Sequence, residues 1–248
     1  MASTNAHSEE MDPAHAGALG PGETSAGTAL LELEPGADVE SWRKLIDDVY
    51  RSAGGDAARI PWAHRRPNPA MLNWLNADAP SLVRPGARVC VVGCGLGEDA
   101  CALAERGYDV TAIDCSASAI EWARRLHPHH DAMFVQADLL DLPVRLQRRF
   151  DLVVEVHTLQ ALPPQFRDAL AGGMAKLLTG KGVLLAVARG RDPKIRLEEV
   201  HGPPFALTGE ELVETLGRTG LAPIRPIDDF FDDNSPPVRR LRGVFRRS

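Results

Sequence analysis

The stretch VCVVGCGLGED, residues 89–99, constrains the chain more than any other segment. A short apolar run ends in three glycines at alternate positions, Gly93, Gly95 and Gly97, and two acids, Glu98 and Asp99, come directly after them. Such a run reads as a buried strand, the glycines as a tight turn, and the acids as the start of a helix. From there the pattern alternates. Strands are expected over 88–93, 108–114, 132–138, 150–156 and 182–188. Helices are expected over 98–106, over 116–126 with Ser116 as N-cap, and over 163–178 closed by Gly180. A further helix is expected over 208–220, then strands at about 222–228 and 238–246, with DDFFDDNSPP as the turn between them. Strands alternating with helices of this length imply a doubly wound, mostly parallel sheet covered on both faces. Two strands joined without a helix pair antiparallel. The expectation is a seven-stranded sheet whose last strand is antiparallel.

In such sheets ligands bind at the carboxyl ends of the strands. A Gly-x-Gly turn there serves nucleotides and nucleosides alike. The dinucleotide fingerprint asks for a further glycine where this chain has Glu98. Glu98 and Asp99 also place negative charge where a pyrophosphate would lie, which disfavours a nicotinamide oxidoreductase; compensation of the helix dipole accounts for the two acids equally well. Asp114 ends the second strand, where a carboxylate accepts hydrogen bonds from a ribose diol. Asp138 ends the third, where it accepts one from an adenine amino group. For both, capping of a turn is the alternative.

The flanks add less. Residues 1–40 hold eight acids and no Lys or Arg, so the remainder carries 28 bases against 26 acids, too even to suggest nucleic acid. Residues 1–37 have no aromatic side chain and are expected to form a disordered acidic tail. Residues 38–86 are expected to form helices, the first with Trp42, Leu45, Ile46 and Val49 along one face, and a Pro-rich loop ahead of the domain of residues 87–248. Cys90, Cys94, Cys101 and Cys115 lie in or beside apolar runs without a C-x-x-C pair and read as reduced core residues. With no apolar run of membrane length and no signal-peptide pattern, a cytoplasmic protein is expected.

Four segments together, VCVVGCGLG, VTAIDCS, QADLLDLP and FDLVVEVHTL, resemble motifs I to IV of the class I S-adenosylmethionine-dependent methyltransferases, over about residues 87–190. IPWAHRRPNPAMLNWL, GPPFALTGEEL and LRGVFRR are similar to segments of the thiopurine-, thiol- and halide-methyltransferase-like branch. The resemblance implies S-adenosylmethionine as cofactor, held by Gly93, Cys94, Gly95, Asp114, Cys115, Asp138 and Leu139. Glu155 or a backbone carbonyl would stand in for the acid that the family usually carries at the position of Val91. Trp62 and Arg66 would close over the methyl donor, Arg66 pairing with the methionine carboxylate; for Trp62 the alternative is packing of the N-terminal helices onto the sheet. Ala63 and Arg65 depart from that lid, which usually has Asp and Gly there.

The reaction so implied is methyl transfer to an O, N or S atom of a small molecule. The cofactor carries the hard chemistry, and the protein aligns the partners and excludes water. His157 follows the fourth strand on the ligand side and is the candidate general base, the alternative being a His that satisfies a local backbone group. A non-catalytic cofactor-binding subunit on the same fold is the competing reading. HPHHD (127–131) is expected to lie away from the site and to bind no metal, and the C-terminal arginines to line a solvated sheet edge. The walls for the acceptor are expected from residues 56–74, 157–162 and 191–207.

Overall fold

The computed structural model describes residues 36–248. The tail expected over 1–37 therefore falls, but for Gly36 and Ala37, outside the described residues. Helix α1 runs Val39–Ser52, capped by the Asp38 side chain, and Gly54 and Gly55 come after it with positive φ. Helix α2, Pro69–Ala77, has Asn68 as N-cap and Pro69 at its first position, and the short α3 is Ala79–Leu82. The alternating part then reads β1 (Arg88–Val92), α4 (Glu98–Ala104), β2 (Asp109–Asp114), α5 (Ala117–Leu126), β3 (Phe134–Gln136), β4 (Phe150–Val156), α6 (Arg167–Leu177) and β5 (Leu178–Arg189). Helix α7 (Gly209–Gly217) precedes β6 (Leu221–Pro223), β7 (Asp228–Phe231) and β8 (Arg239–Arg247). Thr208 and Glu211 close a capping box on α7.

The sheet order is β3-β2-β1-β4-β5-β8-β6, parallel from β3 to β5, with β8 antiparallel to β5. This is the Rossmann-like methyltransferase architecture. Along β1, Val89 and Val91 join the core on one face, and Cys90 and Val92 join the core on the other. That two-sided burial is why the strand reads as an unbroken apolar run.

Three local expectations need correction. Gly180 does not close α6: the helix ends at Leu177 and β5 begins at once, entering the sheet through an irregularity opposite Phe150 and Leu152. The strand expected over 222–228 is split into β6 and β7, which lie one after the other along β8. Pro226, which has no N–H to give to the ladder, sits in the break. Asp228–Phe231, expected as turn, is thus an eighth strand beside the seven of the main path. As a result β8 is not an edge. Its arginines are matched to acids of β7 and of the turn after it: Arg239 with Asp229, Arg240 with Asp232 and Arg242 with Asp228.

Candidate active site

The chain passes from β1 outward to β2 and β3, then returns to β4 on the other side of β1. In this architecture the ligand crevice lies above the carboxyl ends of the strands at that reversal. Gly93, Asp114, His157 and Arg189 all stand at this edge. Because β8 runs antiparallel, its first residues stand there too.

Gly93, Gly95 and Gly97 all have positive φ, at 59°, 52° and 95°. Their surroundings differ. A Cβ on Gly93 would lie 2.4 Å from the Thr158 hydroxyl, and one on Gly97 would lie 2.6 Å from the Phe134 ring. Those two glycines let the turn seat against its own scaffold. Gly95 instead faces the Tyr50 hydroxyl, 3.0 Å from where a Cβ would be. Asp114 braces the same turn: Oδ2 accepts the Gly95 N–H at 3.0 Å, and Oδ1 accepts the Ser116 N–H at 2.9 Å. Burial raises its pKa, and those two N–H bonds oppose the rise. Cys94 hangs its N–H on the Ile113 carbonyl, and the Cys115 carbonyl accepts from Gln136. Burial pushes both thiols up, so neither is a thiolate at neutral pH.

Helix α1 lies across this edge. Arg43, Asp47 and Tyr50, at helical spacing, each reach the crevice. Arg43 pairs with Asp138, whose other oxygen accepts the Leu140 N–H. Asp47 accepts from the Ser116 hydroxyl and from the N–H and hydroxyl of Ser118, at the start of α5. The Tyr50 hydroxyl accepts the Trp62 indole N–H at 2.8 Å, their rings edge to face. Both rings join a cluster with Val49, Leu96 and Trp122, so Trp62 packs the N-terminal segment. Asp99 fastens that segment by accepting the Asn68 N–H at 2.7 Å, and burial raises its pKa to about 6. Arg66 is exposed on the same loop, close to His64. The backbone of buried Leu139 is approached closely by Gly173 of α6. Sequence reasoning missed Arg43, Asp47 and Tyr50. The signal was there: polar side chains every three or four residues beside the apolar face of α1.

Beyond β4 the picture is more charged. Glu155 is fully buried, and its Oε2 accepts the N–H groups of Thr158 and Leu159. Its Oε1 is buried without a partner, and burial pushes the carboxyl up to about 8. His157 sits at φ 65°. Its Nδ1 lies 3.5 Å from Gln160 Oε1 and its Nε2 lies 3.5 Å from Arg240 Nη1. Burial, then the Arg240 guanidinium, push its pKa down to about 3. The ring is neutral, and Arg240 competes for the lone pair that a general base would use. His127, expected away from the site, holds the Leu96 carbonyl at 3.0 Å and stacks on Phe134 beneath the turn. Among the described residues no group of His, Cys, Asp or Glu comes together to hold a metal ion, and no helix is long and apolar enough to cross a membrane.

The thiopurine S-methyltransferase family model matches residues 56–239, well over half of the chain. The chain belongs to the thiopurine S-methyltransferase family. Membership makes it a class I methyltransferase whose methyl donor is S-adenosyl-L-methionine and whose acceptor is a small molecule. Its relatives act on different atoms. A ubiquinone biosynthesis O-methyltransferase of Psychrobacter cryohalolentis is 27% identical over 194 residues, covering 71% of this chain and 72% of the relative. Thiocyanate methyltransferase 1 of Arabidopsis thaliana is 30% identical over 164 residues, covering 63% and 67%. Among solved structures, the 1,6-didemethyltoxoflavin-N1-methyltransferase of Burkholderia thailandensis superposes with a TM-score of 0.68 at 22% identity, covering 87% of this chain and 93% of that one; at this identity the likeness speaks for the fold.

The residues present fit the donor. Gly95 faces the Tyr50 hydroxyl at the strand ends, and carboxylates stand at the end of β2 and just past β3. A nucleoside with two ribose hydroxyls and an exocyclic amine calls for that pair of acceptors.

Proposed function

We propose that this chain transfers a methyl group to a nucleophilic O, N or S atom of a small acceptor seated above β4 and β5, under the lid formed by α1 and the Trp62 loop. The observation that carries the reading is the glycine turn braced by Asp114 and roofed by Tyr50 at the reversal of the sheet. In this reading Gly93, Cys94 and Gly95 cradle the cofactor from below. Asp114 and Cys115 flank its ribose, Asp138 and Leu139 its adenine, and Glu155 the methionine end. Trp62 and Arg66 cover it. When bound, S-adenosylmethionine supplies a methyl carbon already activated by its sulfonium leaving group.

The protein's own part is positioning and exclusion of water. Tyr50 and Trp62 close one wall, and the partly buried turn of His157, Thr158 and Leu159 closes the other. His157, held neutral and engaged by Arg240, is suited to orient an acceptor rather than to draw off its proton. The acceptor therefore arrives as a ready nucleophile, or gives its proton to solvent after transfer. Calorimetry of the full chain with S-adenosylhomocysteine and with a nicotinamide dinucleotide tests the site. Micromolar binding of the first and none of the second is expected. Preferential dinucleotide binding would overturn the reading.

A further inference from the structure

The antiparallel register of β5 and β8 sets Arg189 directly opposite Arg240. Like charges facing each other across a ladder are destabilising, so this pairing needs a counterweight. The molecule supplies half of one. Arg240 gives its Nε to Asp232 at 2.7 Å. Arg189 is half-buried and, among the described residues, its guanidinium makes no hydrogen bond or ion pair with a carboxylate. Burial, then Arg240, weaken its hold on its proton, with Asp232 opposing. Arg239 and Arg242 on the same strand each have an aspartate within 3 Å of the guanidinium, so at this end of β8 the surplus falls on the Arg189–Arg240 pair.

That spot is at the crevice. It lies two strands from β1 through β5, roughly 10 Å at the usual strand spacing. His157 touches Arg240 from β4 and stays neutral, so it neither adds to the positive charge nor cancels it. Above, the lid loop brings His64 near Arg240 and Arg66. Partial burial and those two arginines lower the His64 pKa, against Glu98 and Asp232. Gln160 fixes the arrangement from below: its Oε1 accepts the Arg189 N–H at 2.6 Å and approaches His157 Nδ1.

We propose that Arg189 and Arg240 hold a carboxylate on the methyl acceptor, so that the enzyme selects acceptors bearing an acid group. A guanidinium offers a planar fork of N–H donors that matches a carboxylate edge to edge, and the anion would relieve the repulsion between the two arginines. The inference rests on the methyltransferase reading, because the acid is what orients the nucleophile toward the end of β4.

The test uses the full chain saturated with S-adenosylhomocysteine, with benzoate, benzamide and inorganic phosphate as probes in calorimetry. Benzoate is expected to bind at least tenfold more tightly than benzamide, and Arg189→Gln to remove that advantage while leaving S-adenosylhomocysteine affinity within about twofold. Arg189→Lys, which keeps the charge and loses the fork, should fall between. A thermal readout guards against misfolding. Without ligand, Arg189→Gln should melt no lower than the wild type, since it removes a like-charge pair, and benzoate should raise the melting temperature of the wild type alone. Equal binding of benzoate and benzamide, undiminished benzoate binding by Arg189→Gln, or phosphate bound in preference to benzoate would each overturn the proposal. Those outcomes leave the methyltransferase reading standing, whereas failure of the wild type to bind S-adenosylhomocysteine strikes at the cofactor site itself.

Discussion

Replacing Asp114 with Ala takes away two things at once, and the structure separates them. The carboxylate is buried and accepts the N–H groups of Gly95 and Ser116. Truncation leaves both donors without a partner, at about 1–3 kcal/mol each, or roughly 2–6 kcal/mol together. For a chain of this length each kcal/mol moves the melting temperature by about 2–4 °C, so a fall of roughly 5–20 °C is expected. The second loss is the acceptor for the ribose diol. Hydrogen bonds to a charged group contribute about 1.5–3 kcal/mol, so cofactor affinity should fall at least tenfold. Asp114→Asn keeps one acceptor oxygen and should show about half the thermal loss. Differential scanning fluorimetry without ligand and calorimetry with S-adenosylhomocysteine read the two effects apart. A melting temperature within 2 °C of the wild type would refute the bracing of the turn. Unchanged affinity together with a lowered melting temperature would make Asp114 a brace only and put the ribose contact elsewhere.

Other residues give shorter tests. Tyr50→Phe removes the acceptor of the Trp62 indole N–H and should cost about 1 kcal/mol of stability. The change in tryptophan emission on cofactor addition should vanish in Trp62→Phe; if it persists, Trp62 is not part of the lid. His157→Asn should slow turnover less than tenfold, with kcat flat from pH 5 to 8, because a ring held at about 3 does not titrate there; a loss of 10²–10⁴ would restore it as general base. Glu155, raised to about 8, binds a proton more tightly in the folded chain than in the unfolded one. Its contribution is fully present below about pH 4.5 and is lost as pH rises through 8. Glu155→Gln should therefore gain on the wild type in urea midpoint between pH 5 and pH 9, and equal midpoint shifts at both pH values would count against a raised carboxyl.

How far the sequence reached can be judged residue by residue. The glycine turn, the acids at the end of β2 and just past β3, and the cap at Ser116 are local matters. Backbone sterics and the pairing of orphan N–H groups tie them to residue type within a few positions, so they can be read directly. Burial on both faces of the sheet is equally legible, because it demands unbroken apolar strands. The errors came where a neighbour far along the chain decided. Gly180 looks like a helix stop, but β5 must start at Leu178 to pair with Phe150. Asp228–Phe231 looks like a turn, but the free edge of β8 makes it a strand.

The site divides in the same way. By itself the sequence determined the fold class and the donor, because each depends on short segments whose order and spacing are fixed along the chain. Tertiary structure alone decided what those groups can do. It drew Arg43, Asp47 and Tyr50 of α1 onto the crevice and made Asp114 a brace for the turn. It stripped His157 of basicity by burying it against Arg240, and it set Arg189 opposite Arg240 across 51 residues of chain. Charge, desolvation and hydrogen-bond partnership depend on distance in space, and the register of β5 on β8 sets that distance where composition and spacing do not.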